Sequence, residues 1–390
     1  MNFSDQSVHE CPMMDPMGLE EYLPDRNETG SNDSWFDNIP IAKYKQPMYI
    51  IIIFVVLYVI VFLLCIVGNL VVCCIIARTA TLRDVTHSFI LNLAVSDLLV
   101  GVFCIPFTLV GHIFTENYLG DVMCKVSPML QGMSVATSVF TLTAIAFDRY
   151  CVIVHPTRDR LTVRQAVYLI IAIWVVAAII MAPQAIVRRD ESFQFGELNL
   201  SVCGEFWPSP LLRKAYSAFL FVICYAAPVL INTFLYGRTG YKLWMTKSAA
   251  APKACSNQTE QRSRIIKMMV IIVAVFAITW MPLYSCWLLE DFGQLTHDQS
   301  AMLHSYIYPI AHVMAFANSA VDPFIYGLYS SNLRSRVAEI CSRKKTKGNV
   351  LARDNNNDKK TPNIVCKPQS FTMNFQAVAD NRIIPNESQE

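Results

Sequence analysis

Asp97 is the side chain whose position most needs a chemical reason. It stands inside LNLAVSDLLVG (91–101), a run apolar enough for lipid. A carboxylate there is costly and reads as functional, facing a bundle interior or water. Asn69, Ser138, Asn318, Ser319 and Asp322 fall at similar depth in other apolar runs. Such a set could hold a hydrated cation, or it could be a hydrogen-bond network that only fixes helix packing. Two neighbouring carboxylates cannot easily both ionise without a cation, so the proton between Asp97 and Asp322 is an open question. A second constellation, Asp148-Arg149-Tyr150, closes the third apolar run. Taken alone it could be a snorkelling interfacial pair. Metal hydrolysis finds no support, because His87, His112, His304 and His312 are dispersed and no HExxH or CxxC spacing occurs. Most of the 13 cysteines sit in apolar runs and read as small buried hydrophobes.

The elements that must position these groups are membrane helices. The chain is 54% hydrophobic and 16% charged, against roughly a quarter charged in soluble domains, so the apolar excess needs lipid. Runs of the length that a bilayer demands, about 20 residues, occur near 47–77, 86–112, 122–152, 165–187, 214–242, 265–289 and 302–328. Mid-run prolines (Pro106, Pro183, Pro228, Pro282 and Pro323) should kink these helices without ending them. The third run, with Ser, Thr and Gln on one face, is the least apolar and should pack centrally. The expectation is an all-α bundle of seven transmembrane helices. Paired broken helices and internal repeats, the marks of a transporter, are not evident.

Charge sets the direction. Residues 1–38 hold nine acids and one basic residue, Arg26. The first, third and fifth connections and the segment after the last run are basic, which places them and the carboxyl terminus in the cytoplasm. The fourth connection is a partial exception, with Arg188, Arg189, Arg213 and Lys214 offset by acids. Asn2, Asn27, Asn32 and Asn199 are glycosylation triplets on the expected outer side. Residues 1–46 should form a disordered extracellular tail, 47–329 the bundle, and 346–390 a disordered cytoplasmic tail with hydroxyls open to phosphorylation. No cleavable leader is expected, since the first apolar run starts near Pro47. The basic, amphipathic stretch 330–345 reads as a short eighth helix on the membrane surface, with Cys341 either a palmitoyl anchor into lipid or a free thiol. Nothing suggests a nucleic-acid partner.

Together GN (68–69), LAVSD (93–97), DRY (148–150), Trp174, Pro228 with Tyr236, FAITWMP (276–282) and DPFIY (322–326) resemble the signature set of rhodopsin-like G-protein-coupled receptors. The resemblance runs from about Pro47 to Lys345. It implies plasma-membrane localisation, no catalysis, a ligand site open to the outside and a cytoplasmic crevice for a heterotrimeric G protein, with arrestin as a further partner. Arg149 would engage the G protein, with Asp148 restraining it and Tyr150, Tyr236 and Tyr326 near it. Phe276 and Trp280 would transmit the ligand signal, Pro282 would provide the bend, and Pro323 belongs to the matching seventh-helix motif. Cys124 and Cys203 match the family's disulfide. The polar set around Asp97 matches its sodium pocket, and no other cofactor is implied. Two departures stand out. Asp322 replaces the commoner Asn, and Arg262 stands where an acid often restrains the DRY arginine, which leaves that restraint to Asp148 and packing and leaves basal activity an open question.

Within that resemblance the ligand can be narrowed. Phe316 occupies the position of a retinal lysine, and Gln131 that of an amine receptor's carboxylate. Gln131 carries both a donor and an acceptor, suited to a primary amide. With Thr108 and His312 it resembles the group that holds amidated peptide termini in neuropeptide Y and RFamide receptors. Glu205, Glu290 and Asp291 should form an outward acidic rim, drawing a peptide arginine or merely being solvated. FLLCIVGNLVVC (62–73), FILNLAVSDLLVG (89–101), QGMSVATSVFTL (131–142), IVHPTRDRLTVRQA (153–166) and LLEDFGQL (288–295) are similar to neuropeptide FF receptors. The implied ligand is a short amidated neuropeptide ending in Arg-Phe-amide. Neuropeptide Y-like, orexin-like or longer RFamide peptides are the alternative.

Overall fold

The computed structural model describes residues 43–78, 84–157, 160–195, 198–248 and 253–329. The expected tails, glycosylation at Asn2, Asn27 and Asn32, the helix at 330–345 and Cys341 lie outside the described residues.

Seven helical rods form the molecule. The first is α1 (Met48–Arg78); the second is α2 (Val85–Phe103) followed by α3 (Ile105–Ile113). The third is α4 (Gly120–Val154) and the fourth α5 (Val163–Val187). A hairpin follows, β1 (Arg188–Phe195) with β2 (Leu198–Glu205). The fifth rod joins α6 (Pro210–Phe221) to α7 (Ala227–Ser248), the sixth is α8 (Lys253–Phe292), and the seventh joins α9 (His297–Met302) to α10 (Tyr308–Tyr329). The first six are long and apolar enough to cross a membrane. The seventh carries a buried polar stripe (Asn318, Ser319, Asp322) and packs on α1 and α8.

Burial is inverted relative to a water-soluble protein. Large apolar side chains such as Ile52, Val67, Ile179 and Leu230 face outward, while Asn69, Ser96 and Thr141 are completely buried. Contiguous apolar surface of this extent suits lipid, where backbone must be satisfied within helices. The α4 helix, least apolar of the six, packs against α2, α5 and α7 and turns Ser134, Thr137, Ser138 and Thr141 into the core. The central position expected of the third run is what the structure shows.

Local chemistry explains the boundaries. Asp84 caps α2 by accepting from the His87 N–H (2.8 Å), and Thr162 and Thr296 form capping boxes with Gln165 and Gln299. The prolines act unequally. Pro106 opens a new helix after a break at Cys104. Pro183, Pro282 and Pro323 lie inside continuous helices. Pro228 has no N–H to give, and just before it the chain widens into a π turn, Val222–Ala226, with the Ala227 N–H reaching the Val222 carbonyl. A second π turn, Leu303–Ile307, joins α9 to α10.

Two features go beyond the all-helical expectation. The hairpin places Asp190 opposite Cys203 and Gln194 opposite Asn199. Residues 43–46, expected within the tail, are tied to the bundle: Tyr44 bridges Phe114, and the Gln46 amide donates to the His112 (2.9 Å) and Ser305 (2.7 Å) carbonyls.

Candidate functional site: a polar core between two helix ends

At mid-depth the expected polar set converges. Asn69 donates to the carbonyls of Cys65 and Ser319, both at 2.9 Å, stitching α1 to α10. Ser138 donates to Ser96 (3.1 Å), which donates to the Ser134 carbonyl (2.9 Å), linking α4 to α2. Asp97 and Asp322 are 2% and 3% exposed and lie near enough to interact electrostatically. One oxygen on each of Asn69, Asp97, Asn318 and Asp322 is sealed from solvent without a hydrogen-bond partner. Sealed acceptors cost about 1–3 kcal/mol each when unsatisfied. Four oxygen acceptors, two of them carboxylate, fit a small hard cation or a shared proton and do not fit a soft metal. Gly68 belongs to the same level: a Cβ there would come within 2.9 Å of the Pro323 ring.

At the end of the bundle opposite the hairpin, Arg149 donates through Nε to Asp148 (2.9 Å), through Nη2 to the same carboxylate, and through Nη2 to Thr86 Oγ1 (3.1 Å). Its restraint thus comes from its chain neighbour and from α2. Tyr150 OH meets His155 Nε2 at 3.4 Å. Tyr236 and Tyr326 are buried in one apolar cluster with Leu142, Ile145 and Met269, and neither hydroxyl has a partner. Thr86 was not anticipated; its only signal was its place in the first turn of the second run.

From mid-depth toward the hairpin end an aromatic column runs along α8. Phe276 and Trp280 lie 6.2 Å apart, Trp280 and Tyr284 6.2 Å, and Tyr284 and Trp287 5.2 Å by ring centroid. Tyr225, inside the π turn, donates to the Ala277 carbonyl (2.7 Å). That bond ties the fifth rod to the sixth less than two turns before Pro282.

At the hairpin end, the Cys124–Cys203 disulfide joins α4 to β2, with Cα atoms 5.7 Å apart. Thr108, Gln131 and His312 come from α3, α4 and α10, and their chain neighbours Leu109, Leu130 and Val313 pack on one apolar cluster. No hydrogen bond joins the three. Gln131 is 8% exposed and its side chain makes no hydrogen bond among the described residues, yet its amide atoms are not sealed. His312 Nδ1 meets the Tyr308 carbonyl (2.9 Å) and His112 Nε2 (3.2 Å). His112 is the addition here, and it shares a helical face with Thr108 four residues earlier.

The acids above this level form no solvated edge, the alternative that the sequence left open; each is paired with an arginine of this chain. Arg188 pairs with Glu205 (2.6 Å), whose other oxygen accepts from the Trp207 indole (3.0 Å). Burial alone would push the Glu205 carboxyl up, but Arg188, the Trp207 N–H and Arg213 together hold it below the ordinary glutamate range. Arg213 bridges Glu290 (2.6 Å) and Asp291 (2.8 Å), and Tyr308 OH also donates to Glu290. Carboxylates this far from solvent are costly to leave unpaired, so Arg188 and Arg213 fold onto them.

The profile of the 7 transmembrane receptor (rhodopsin family) matches residues 68–326. Neuropeptide FF receptor 2 of Rattus norvegicus is 37% identical over 336 residues, 80% of this chain and 81% of that one. Neuropeptide FF receptor 1 of Homo sapiens is 39% identical over 325 residues, 79% of this chain and 75% of that one. The pyroglutamylated RF-amide peptide receptor of Rattus norvegicus is 30% identical over 295 residues, 72% of this chain and 68% of that one.

Proposed function

We propose that this chain, which belongs to the rhodopsin family of seven-transmembrane receptors, binds a short peptide ending in Arg-Phe-amide and activates a heterotrimeric G protein. The carrying observation is Gln131: a buried carboxamide with no hydrogen-bond partner among the described residues, below a cluster of carboxylates, in a chain whose relatives are named neuropeptide FF receptors. In this reading the peptide's terminal amide exchanges donor and acceptor bonds with Gln131, flanked by Thr108 and His312. Its guanidinium reaches Asp291 and Glu205 above. The similarity to a pyroglutamylated RF-amide peptide receptor favours another RF-amide peptide as the second reading.

The hairpin end faces outside. The basic connections support this, as does the Cys124–Cys203 disulfide, a bond suited to an oxidising exterior. Glycosylation at Asn2, Asn27, Asn32 and Asn199 and palmitoylation at Cys341 belong to the same topology, with arrestin as a cytoplasmic partner.

Binding moves no covalent bond. Ligand contact displaces Trp280 and Phe276, the sixth rod bends at Pro282, and its far end swings away from α4. Arg149 then leaves Asp148 and Thr86 for the G protein, and the unpartnered hydroxyls of Tyr236 and Tyr326 find new partners beside it. Asp97, Asp322, Asn69, Ser138, Asn318 and Ser319 would hold a sodium ion in the inactive arrangement, where it supplies the positive charge that two buried carboxylates require.

Competition binding on membranes bearing this chain, with an Arg-Phe-amide peptide and its free-acid form, tests the reading. The amide should bind at least about tenfold tighter, since a carboxylate facing Gln131 loses a donor and carries an uncompensated charge worth about 1–3 kcal/mol. Equal affinity would remove the amide site.

A further inference from the structure

The carboxylates assigned to the ligand's arginine already hold a guanidinium. Ser209 caps α6 by accepting from the Leu212 N–H (3.3 Å), which fixes the turn bearing Arg213. From there Arg213 reaches across to the last turn of α8, with Nη2 on Glu290 Oε1 (2.6 Å) and Nε on Asp291 Oδ1 (2.8 Å). Exposure is graded: the Arg213 side chain is 33% exposed, whereas those of Glu290 and Asp291 are 16% and 4% exposed. The guanidinium is a cover, and the acids lie beneath it. An arriving arginine finds Asp291 only where Arg213 now sits.

We propose that Arg213 is the chain's own occupant of this site, and that a peptide guanidinium binds by exchanging with it. This inference rests on the ligand reading above and adds a residue that sets its selectivity. Local charge favours exchange over permanent closure. Glu205, Glu290 and Asp291 face Arg188 and Arg213, three carboxylates against two guanidiniums, so the cluster keeps an anionic surplus of one. His304 Nε2 lies 3.8 Å from Glu290, and Lys214 is drawn to the Phe292 ring at 5.9 Å. Neither side chain bridges the two acids. Glu290 also keeps a neutral donor, Tyr308 OH, when Arg213 leaves. Displacement therefore strands no charge: Arg213 swings into solvent on a long stem, and the incoming guanidinium takes its two acceptors with the same fork.

An occupied site lowers apparent affinity by the fraction of time it stands open. Arg213 therefore penalises only ligands that need Asp291, and a peptide with a neutral residue in the arginine's place escapes the penalty.

The test measures binding of an Arg-Phe-amide peptide and its citrulline analogue, an uncharged near-isostere, to wild-type, R213Q and R213K chains in membranes. Surface copies are counted through an extracellular epitope tag. R213Q should raise affinity for the arginine peptide about tenfold and leave the citrulline peptide within about twofold, the pattern expected when the open fraction is near one tenth. R213K, a single ammonium that cannot fork across both acids, should give a smaller gain of the same selectivity. It also carries the test if R213Q does not reach the surface. Unchanged or weaker binding of the arginine peptide, or an equal gain for both peptides, would overturn the exchange. Failure of either peptide to bind the wild-type chain would instead sink the ligand reading, and the inference with it.

Discussion

Arg149 is held from two helices, through Asp148 beside it and Thr86 on α2, with Arg262 of α8 exposed and offering no acid. A hydrogen bond to a charged group is worth about 1.5–3 kcal/mol, so Thr86→Ala should raise ligand-free G-protein activation several-fold. Nucleotide exchange without peptide reads it; an unchanged basal rate would show that Thr86 does not restrain the arginine. At the other end, Asp291→Asn should weaken an arginine-bearing peptide about tenfold or more and spare its citrulline analogue. Loss of both would indicate misfolding. Glu205 gives a pH signature. Its folded carboxyl lies below the ordinary range because of Arg188, Trp207 and Arg213. Its stabilising contribution is complete above the unfolded value, about 4.3, and disappears as pH falls through the lower folded one. Thermal stability of Glu205→Gln should therefore trail wild type near neutrality, and the gap should begin to close only as pH falls below the unfolded value, about 4.3. A constant gap across that range would contradict the linkage. At this scale Asp97, Asp322 and Arg149 were legible because their types violate their medium. Thr86, His112 and Arg213 were not, since an ordinary Thr, His or Arg near a helix end shows its role only through its partner.

Among the elements, all seven helical rods were legible as apolar runs, six of them apolar enough to cross a membrane, because lipid admits few backbone solutions. What the prolines do was less readable. Pro106 separates two helices and Pro228 follows a π turn, whereas Pro282 sits in an unbroken helix. The outcome depends on how the surrounding helices accommodate each missing N–H, which the sequence of one helix does not show. The hairpin was hidden because part of what holds it lies elsewhere in the chain: Cys124 anchors Cys203, and the Asn117 N–H donates to the Ser201 carbonyl (2.7 Å). Cys124→Ser should free β2 from α4 and loosen the strand that carries Glu205. Peptide affinity should fall much more than surface expression; unchanged affinity would show that the hairpin positions nothing. The tight approach of Gly68 to Pro323 supports a second expectation. Gly68→Ala should cost about 1–3 kcal/mol through overpacking, measured as a lower melting temperature of the purified chain, and an unchanged temperature would mean that α1 and α10 simply separate.

The whole molecule is a lipid-facing shell around a polar axis, running from the charged cluster at the hairpin end, past Gln131 and the Asp97–Asp322 level, to Arg149. Each level is held by hydrogen bonds between different helices, so a change at one end has a physical route to the other. The direct measurement is guanine-nucleotide exchange on a purified heterotrimeric G protein, with this chain reconstituted in lipid and an Arg-Phe-amide peptide added. Our account predicts faster exchange with the amidated peptide, little with its free acid, and loss of the response in Arg149→Ala with peptide binding retained. Peptide binding that never accelerates exchange, or acceleration that survives Arg149→Ala in full, would contradict it.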